Sequence, residues 1–216
     1  MEMIEATVRR AWDETPRLKG VVLEVPPETV QAYRRPGQFI EARFGQAEPA
    51  PFAIASSPGE ARAFELLVGE PVRSQMDWSE GRGVLVRGPL GFGFPVERAK
   101  GQDVLLFAQG SALAALRPVV EMIRRRRKDY RSVRLYVGAH TEADRPYVSD
   151  YPAWRAEGIE VLESISRPWV QERFRSAPGC LHDTVAFVCG MEKMMDDVTA
   201  ELVTAGVSVD RIGRNV

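Results

Sequence analysis

The sequence predicts two domains: a six-stranded antiparallel Greek-key β-barrel in residues 1–99, followed by a doubly wound parallel α/β sheet in residues 100–216. The first half contains short alternating or apolar segments separated by Gly and Pro turns, which is typical of small closed barrels. The second half alternates apolar strand-length runs with helical patterns, which is the order of a parallel sheet with right-handed crossovers. A chain of 216 residues is long enough for two domains with cores of their own.

The predicted barrel strands are six segments that alternate polar and apolar side chains or run apolar throughout. Each is bounded by turn-forming residues, of which RPGQ (35–38) is one example. In this half only residues 74–80 carry a helical pattern. The predicted strands are 5–12, 18–25, 39–44, 50–57, 63–69 and 83–88.

The predicted sheet begins with a buried strand at 104–108, which leads through Gly110 and Ser111 into a helix. Apolar residues recur every three or four positions from Leu113 to Ile123, as on one face of a helix. The further predicted strands are 132–139, 159–166 and 184–190, with a possible edge strand in RIGRN near the C-terminus, and the further predicted helices are 146–157, 169–175 and 191–205.

The turn at Gly110 and Ser111 is the first candidate binding site. A strand that feeds directly into a helix leaves the first-turn N–H groups unpaired at the positive end of the helix dipole, which suits a phosphate. Ordinary parallel α/β units turn in the same way, so this motif alone leaves both interpretations open. Ligands of such sheets lie at the carboxyl ends of the strands. Those ends are 109–111, 138–140, 166–167 and 189–190.

Charge and cysteine content exclude several classes of protein. Lys and Arg number 12 against 14 Asp and Glu in residues 1–99, and 17 against 16 in residues 100–216. Neither half therefore favours nucleic acid or an anionic membrane as a partner. Cys180 and Cys189 are too few for a disulfide framework or a four-cysteine metal site, no metal is expected, and His182 is interpreted as a loop residue. The sequence shows neither a spanning apolar run nor a signal-peptide pattern, so we expect a soluble cytoplasmic protein.

Six motifs, spread over essentially the whole chain and in the family's order, resemble those of the ferredoxin–NADP reductase superfamily of flavoproteins. No single motif is decisive, but six in sequence are hard to obtain by chance. They are RPGQF (35–39), PFAIASSP (51–58), GPLGFGF (88–94), GSALAALRP (110–118), YVGAHTEADRPY (136–147) and VCGMEKMMDDV (188–198).

The resemblance implies FAD on the barrel and NAD(P)H at the edge of the sheet. Hydride would pass between nicotinamide and flavin, and electrons would continue to an unidentified acceptor such as an iron–sulfur or other redox protein. The cofactors supply the redox chemistry and the protein supplies position and electrostatics. Because hydride transfer requires the reacting atoms within about 3–3.5 Å, the loops at Phe52, Gly110 and Cys189 must meet in one cleft.

The resemblance also implies a role for individual residues. Cys189 is the one catalytic candidate, beside the nicotinamide, although a small apolar residue that ends a buried strand more often serves packing than chemistry. Ile54, Ala55 and Ser56 would present their backbone to the flavin, and Gly88 and Gly91 would let the backbone of the glycine-rich turn approach a flat ligand. The other implied cofactor-binding residues are Phe52 and Ala53 at the flavin ring, Ser74 at the FAD pyrophosphate, Gly110, Ser111 and Ala112 at the nicotinamide dinucleotide's pyrophosphate, Ser166 and Arg167 at its adenosine ribose or 2′-phosphate, and Gly190 and Met191 beside the nicotinamide.

Two departures from the family pattern concern the flavin. Ala50 stands where the family has an Arg, and losing a charge-assisted pyrophosphate contact costs about 1.5–3 kcal/mol unless another group replaces it. Arg73, beside Ser74, is the candidate replacement. The missing arginine predicts weaker FAD binding. Ala53 removes the hydroxyl that family members direct toward flavin N5, which predicts slower turnover with the pyridine nucleotide.

Other departures keep alternatives open. Ala112 carries a Cβ that narrows the approach of a phosphate to the backbone. Arg167 would favour NADPH, but His140 stands where many members have Arg and gives no support, so the sequence does not distinguish NAD from NADP. The alternatives are a catalytically weakened flavin- or nucleotide-binding electron-transfer subunit, and an NAD(P)H:flavin reductase that uses free flavin. The lack of a C-terminal cysteine cluster argues against the electron-transfer subunit of dihydroorotate dehydrogenase. The basic run 124–128 is interpreted as a solvated helix end rather than a docking surface.

Overall fold

In the computed structural model, which describes residues 2–179, 181 and 183–215, the first half of the chain forms one antiparallel sheet. Its strand order is β4-β3-β6-β1-β2-β5. A bridge between Ile54 and Leu66 joins the two edge strands and closes the sheet into a barrel. The strands are β1 (Ile4–Thr15), β2 (Leu18–Glu24), β3 (Phe39–Arg43), β4 (Ala50–Ala53), β5 (Phe64–Gly69) and β6 (Gly83–Leu90).

The second half forms a parallel sheet in the order β11-β10-β7-β8-β9. Its three central strands are buried almost throughout, as expected for a sheet covered on both faces. The predicted fold class is therefore confirmed, including the short edge strand near the C-terminus. The strands are β7 (Asp103–Gln109), β8 (Val133–Ala139), β9 (Glu160–Ile165), β10 (Thr184–Cys189) and β11 (Ile212–Arg214).

The helices differ from the prediction in three places. The barrel helix predicted at 74–80 is wrong, because the helix ends at Gln75 and Trp78 is buried in the barrel core. The helix predicted at 146–157 begins only at Tyr151, since Tyr147 adopts a left-handed φ of 57° that no helix can contain. The helices are α1 (Pro27–Ala32), which the sequence analysis missed, α2 (Val72–Gln75), α3 (Leu113–Arg125), α4 (Tyr151–Ala156), α5 (Val170–Ser176) and α6 (Glu192–Thr204).

Three apolar clusters form the core. One fills the barrel, and one lies between the sheet and helices α5 and α6. The third lies between the sheet and α3, and it also contains Leu18, Ala55 and Leu67 of the barrel. Barrel and sheet thus share apolar core residues. The division at residue 99 remains a prediction, and a 3₁₀ turn at Val96–Ala99 lies there with Val96 and Ala99 in the shared cluster.

Leu106 provides a test of the assignment of β7 to the centre of the sheet, where its side chain is fully buried. We expect Leu106→Ala to lower the free energy of unfolding by about 2–5 kcal/mol, because it removes buried methyl groups and leaves a cavity. Val203→Ala on α6, where the residue is 44% exposed, should change it by less than about 0.5 kcal/mol. Urea denaturation measures both, and equal effects would contradict the assignment.

Candidate functional site

A cleft of about 380 Å³ opens between the barrel and the sheet. Strands β4 and β5 form one wall, and the turn after β7 and the end of β10 form the other. Strands β7 and β10 are neighbours in the parallel sheet, so their carboxyl ends meet at the same edge. The lining residues are Pro51, Phe52, Ala53, Leu67, Gly69, Glu70, Val72, Gln109, Ser111, Ala112, Cys189, Gly190 and Met191.

The cleft brings together segments that are far apart in the sequence. The predicted convergence of the loops near residues 52, 110 and 189 is observed, whereas the binding role of each residue stays a prediction. Of the predicted site residues, those that line the cleft are Phe52, Ala53, Ser111, Ala112, Cys189, Gly190 and Met191.

Phe52 packs largely into the barrel. Its ring meets Trp78 edge-on, with the centroids 5.3 Å apart, and the residue is only 7% exposed. Phe52 therefore offers the cleft a narrow apolar surface that Trp78 holds in place. Ala53, the next residue, is partly exposed and adds a methyl group rather than a hydroxyl to the same wall.

The segment after Ala53 is held by the barrel's own hydrogen bonds. The N–H of Ile54 donates to the carbonyl of Gln38 at 3.1 Å, and the N–H of Ala55 donates to the carbonyl of Glu65 at 2.7 Å. The Ser56 hydroxyl donates to a carbonyl within its own loop. These donors are already paired, so the prediction that all three residues present their backbone to a ligand does not hold for the N–H groups of Ile54 and Ala55.

Arg73 and Ser74, the two residues predicted at the FAD pyrophosphate, are engaged by carboxylates. The Arg73 guanidinium donates to Asp13 at 2.9 Å and to the carbonyl of Pro16, and lies 3.9 Å from Glu70. The Ser74 hydroxyl donates to Glu70 at 2.7 Å. Because Glu70 itself lines the cleft, a diphosphate at this end would lie beside a negative charge that already pairs with both donors.

Gly88 and Gly91, predicted to let the backbone approach a ligand, instead give space to the barrel. A Cβ at Gly88 would lie 2.9 Å from Ile40 and 3.0 Å from the carbonyl of Phe39, and one at Gly91 would lie 3.1 Å from the Phe39 ring. Neither glycine lines the cleft. The atoms that exclude a side chain here belong to strand β3, so these glycines have a packing role.

The turn after β7 is a single 3₁₀ turn, Gly110–Ala112, that leads directly into α3. Gly110 has a φ of 55°, which a residue without a Cβ adopts most readily, and an added Cβ would meet no atom within 4 Å. Ser111 is exposed. A Cβ at Gly69 of the barrel would lie 3.7 Å from the Ser111 hydroxyl, so this turn reaches the opposite wall.

Cys189 ends β10 and is 8% exposed at the base of the cleft. Burial raises the pKa of its thiol to about 11, and a contact from the Asn215 amide nitrogen, 3.8 Å from Sγ, offsets this only in part. The thiol is therefore neutral at physiological pH. Gly190 follows without a side chain, and a Cβ there would collide with the Met194 methyl at 2.2 Å.

The raised pKa of Cys189 gives a pH test. In a Cys180→Ser background, alkylation of Cys189 by iodoacetamide should rise with pH toward a midpoint of about 11 rather than the ordinary 9.0, since only the thiolate reacts. A short cysteine peptide treated alongside provides the unshifted control. A midpoint at or below that of the peptide would show that the thiol is not buried as described.

A second cavity of about 380 Å³ lies along the same sheet edge and shares Gln109 and Met191 with the cleft. Gly138, which lies near the end of β8, and the first turn of α5 form much of its wall. The two cavities together follow the carboxyl ends of β7, β8 and β10, where ligands of doubly wound sheets bind. The lining residues are Gln109, Gly138, Trp169, Val170, Gln171, Glu172, Met191, Lys193, Met194 and Asp197.

The cations beside this second cavity are paired with carboxylates. Arg167 lies 3.6 Å from Glu172 and 5.7 Å from the centroid of the Trp169 ring, and Lys193 lies 3.2 Å from Asp197. The predicted residues Ser166 and Arg167 are exposed and do not line the cavity themselves.

Sequence reasoning missed three carboxylates at the site. Glu70 lies three residues before the predicted Arg73 and four before Ser74, so its place in GEPVRS was an available signal. Glu172 and Asp197 lie on different helices, and no pattern in the sequence places them at one cavity. All three bring negative charge to places where the resemblance implies phosphates.

The basic run 124–128 lies at the end of α3 and is largely paired within the chain. These pairings favour the interpretation as a helix end rather than a docking surface. The pairs are Arg124 with Glu121, Arg125 with Glu60, Arg126 with Glu97, and Arg127 with the carbonyl of Gly158.

Neither a cluster of potential metal ligands nor a membrane-spanning helix occurs among the described residues. Within 2–179, 181 and 183–215, no group of three or more His, Cys, Asp or Glu is placed to hold a metal ion. Over the same ranges, no helix has the length and apolar character needed to cross a bilayer. Cys180 and His182, named in the sequence analysis, lie outside the described residues.

No family model matches the sequence. The chain is 28% identical to the gamma subunit of sulfhydrogenase 1 from Pyrococcus furiosus over 202 residues, which cover 86% of this chain and 69% of that one. It is also 28% identical to a probable dihydroorotate dehydrogenase B electron transfer subunit from Methanocella arvoryzae, over 96% of this chain and 76% of the other. This likeness does not test the expectation that a chain without a C-terminal cysteine cluster differs from the electron-transfer subunit of dihydroorotate dehydrogenase.

Solved structures share the whole two-domain arrangement. A ferredoxin NADP⁺ reductase from Neisseria gonorrhoeae, with bound FAD and NADP, superimposes with a TM-score of 0.80 at 17% identity, over 100% of both chains. An Amycolatopsis cytochrome P450 reductase superimposes with a TM-score of 0.85 at 21% identity, over 99% of this chain and 69% of that one. The chain thus has the ferredoxin reductase-like fold. The fold expected from the resemblance to the ferredoxin–NADP reductase superfamily is therefore confirmed.

Proposed function

We propose that this protein is an FAD-dependent oxidoreductase that takes electrons from a nicotinamide dinucleotide and passes them to a redox protein partner. The observation that carries the proposal is the cleft in which an apolar barrel wall meets the turn after β7 and the end of β10. Its volume of about 380 Å³ lies in the usual range for small-molecule sites. The continuation into a second cavity along the sheet edge supports a long ligand on the sheet side.

The lining of the cleft suits the flat isoalloxazine ring of FAD better than its pyrophosphate. Phe52, Ala53 and Leu67 provide an apolar barrel wall, and Gly69 adds no side chain to it. Bound there, FAD would supply the hydride and electron-transfer chemistry, and the protein would supply position. At the other end Arg73 and Glu70 are paired with each other and with neighbouring groups, so the pyrophosphate would be held less tightly than a free arginine would hold it.

Cys189 would support the nicotinamide without ionising. Its thiol is neutral at physiological pH because burial raises its pKa, so it contributes a polarisable, uncharged surface. Gly190 beside it leaves the approach to the sheet edge open. We therefore assign Cys189 a shape role at the place where hydride would leave the nicotinamide.

For the dinucleotide we propose NADH rather than NADPH. The second cavity contains the carboxylates Glu172 and Asp197, and the cations beside it, Arg167 and Lys193, are already paired with them. A ribose with a free 2′-hydroxyl can donate hydrogen bonds to such carboxylates, whereas a 2′-phosphate would be repelled by them.

The proposed partner is a protein that accepts electrons, since two relatives are named as the gamma subunit of a sulfhydrogenase and as an electron transfer subunit. Both names describe a chain that works beside other subunits. We therefore propose that this chain delivers electrons to a partner subunit rather than to a small organic substrate.

An anaerobic spectrum tests the proposed function. The purified protein, supplied with FAD and freed of excess, should be yellow and should bleach on addition of NADH. A colourless protein, or one that stays yellow with both NADH and NADPH, would contradict the proposal.

The carboxylate of Glu70 gives a test of flavin binding. We expect Glu70→Gln to tighten FAD binding about two- to fivefold, because it removes a partly exposed charge worth about 0.5–1 kcal/mol from beside the pyrophosphate. Fluorescence quenching of FAD measures the affinity. Glu97→Gln, an exposed carboxylate that does not line the cleft, is the matched control and should leave the affinity unchanged. Weaker FAD binding in Glu70→Gln would contradict the inference that the Glu70 carboxylate opposes the binding of FAD.

Coenzyme preference gives a further test. We expect kcat/KM for NADH to exceed that for NADPH by about tenfold or more, and Glu172→Gln to narrow the ratio about two- to fivefold. Gln can preserve the bond that Glu172 accepts from the N–H of Trp169 at the start of α5. Glu201→Gln on α6, outside the cavity, is the control. A preference for NADPH in the unmutated protein would contradict the assignment.

A further inference from the structure

An ion-pair network crosses the boundary between barrel and sheet behind the cleft. Arg117 of α3 donates from Nη1 to both carboxylate oxygens of Glu65 on β5, at 3.2 Å each. Its Nε donates to Asp150 at 2.7 Å. The side chains of Arg117 and Glu65 are each 22% exposed, so solvent screens this contact less than an ordinary surface pair.

Tyr147 adds a buried ring to the same network. The Arg117 guanidinium carbon lies 4.6 Å from the centroid of this ring, and Tyr147 is 4% exposed. The backbone at Tyr147 has a φ of 57°, and its N–H donates to Glu14 of β1 at 2.7 Å. Glu14 also accepts a hydrogen bond from Trp12 at 2.7 Å. The barrel therefore holds this segment of the sheet domain at a backbone conformation that is rare for a side-chain-bearing residue.

We propose that Arg117 is a positioning residue that sets the distance between the two walls of the cleft by clamping β5 to α3. Both elements continue into the cleft from the clamp. On β5, Leu67 and Gly69 follow Glu65 in the barrel wall, and the Gly110–Ala112 turn directly precedes α3 in the opposite wall. A change in the separation of Glu65 and Arg117 would therefore move one wall against the other.

The chemistry of Arg117 suits a fixed joint. Burial opposes its charge, but the carboxylates of Glu65 and Asp150 more than compensate, and the pKa of Arg117 is raised above its ordinary value. The guanidinium is planar and presents donors in a fixed fork, so one side chain binds two carboxylates in defined directions while it stacks on the Tyr147 ring. A lysine would offer a single point charge without this directional preference.

A second ion pair across the same boundary provides a matched control. Arg125, also on α3, pairs with Glu60 in the loop before β5. Its side chain is 40% exposed and that of Glu60 is 56% exposed, and neither lines the cleft. Both pairs join α3 to the barrel, but only the Arg117 pair is half-buried and adjoins the cleft walls.

The test compares Arg117→Met, Arg117→Lys and Arg125→Met. Because the proposal rests on the proposed function, the first measurement is single-turnover reduction of bound FAD by NADH. We expect Arg117→Met to slow reduction about 10- to 100-fold, the scale on which small misplacements of reacting groups act, with the affinity for FAD and the half-saturating NADH concentration unchanged. Arg117→Lys should recover part of the rate, and Arg125→Met should match the unmutated protein.

A second measurement needs no cofactor. Hydrogen–deuterium exchange of the unloaded chain should show faster exchange in β5 and around Tyr147–Asp150 in Arg117→Met, and no change there in Arg125→Met. If Arg117→Met does not fold, Glu65→Gln tests the same contact while it keeps the Arg117–Asp150 pair.

Each result decides between the alternatives. Unchanged reduction and unchanged exchange in Arg117→Met would overturn the proposal. So would a loss of rate accompanied by an equal loss of FAD affinity, because that pattern marks a general structural role. If the unmutated protein with FAD is not reduced by NADH, the proposed function fails, and the exchange measurement still decides whether Arg117 is the clamp.

Discussion

Leu18, Ala55 and Leu67 of the barrel are buried in the same apolar cluster as Leu113 and Ala114 of α3. Burial of apolar surface contributes about 25 cal/mol per Å² and has no preferred direction, so this contact holds barrel and sheet together but fixes their orientation only loosely. The cleft exists because the contact leaves the ends of β4, β5, β7 and β10 open beside it. Every proposed role in the site depends on that arrangement.

Polar groups at the boundary give the apolar contact a direction. A partly buried ion pair adds little net stability, because the cost of removing charges from water offsets their attraction. Hydrogen bonds from Arg117 to Glu65 and Asp150 nevertheless have defined angles, and an apolar substitute could not reproduce them. The network is better understood as a constraint on geometry than as a source of stability.

The end of the cleft that is proposed for the FAD pyrophosphate is occupied by internal ion pairs. Arg73 is held by Asp13 and Glu70, and Ala50 stands where the resemblance predicts an arginine. The chain therefore places its available donors in internal ion pairs beside the cleft. Such pairs satisfy the charges when no ligand is bound, but a bound pyrophosphate must compete with the internal carboxylates for the same donors.

The sequence predicts the fold well because apolar periodicity is a local property. The alternation in β1 and the helical stripe of α3 both follow directly from residue spacing. Helix α4 was predicted too long because the left-handed backbone at Tyr147 is stabilised by Glu14, 133 residues away. The packing role of Gly88 likewise depends on Ile40 and Phe39 of another strand, which no local pattern reports.

The site was predicted only in part, because local motifs identify single residues but do not report how distant elements pack. Motifs located Ala53, Ser111 and Cys189, which do line one cleft. The carboxylates Glu172 and Asp197 meet at one cavity only because α5 and α6 pack side by side, so the sequence alone did not place them there.

The most direct test of a cleft that holds both redox rings uses NADH deuterated on one face of nicotinamide C4 at a time. Single-turnover reduction of bound FAD is followed with each form. A cleft that fixes the nicotinamide between the two walls predicts a primary isotope effect for one face and none for the other. Equal isotope effects for both faces, or none for either, would contradict the account.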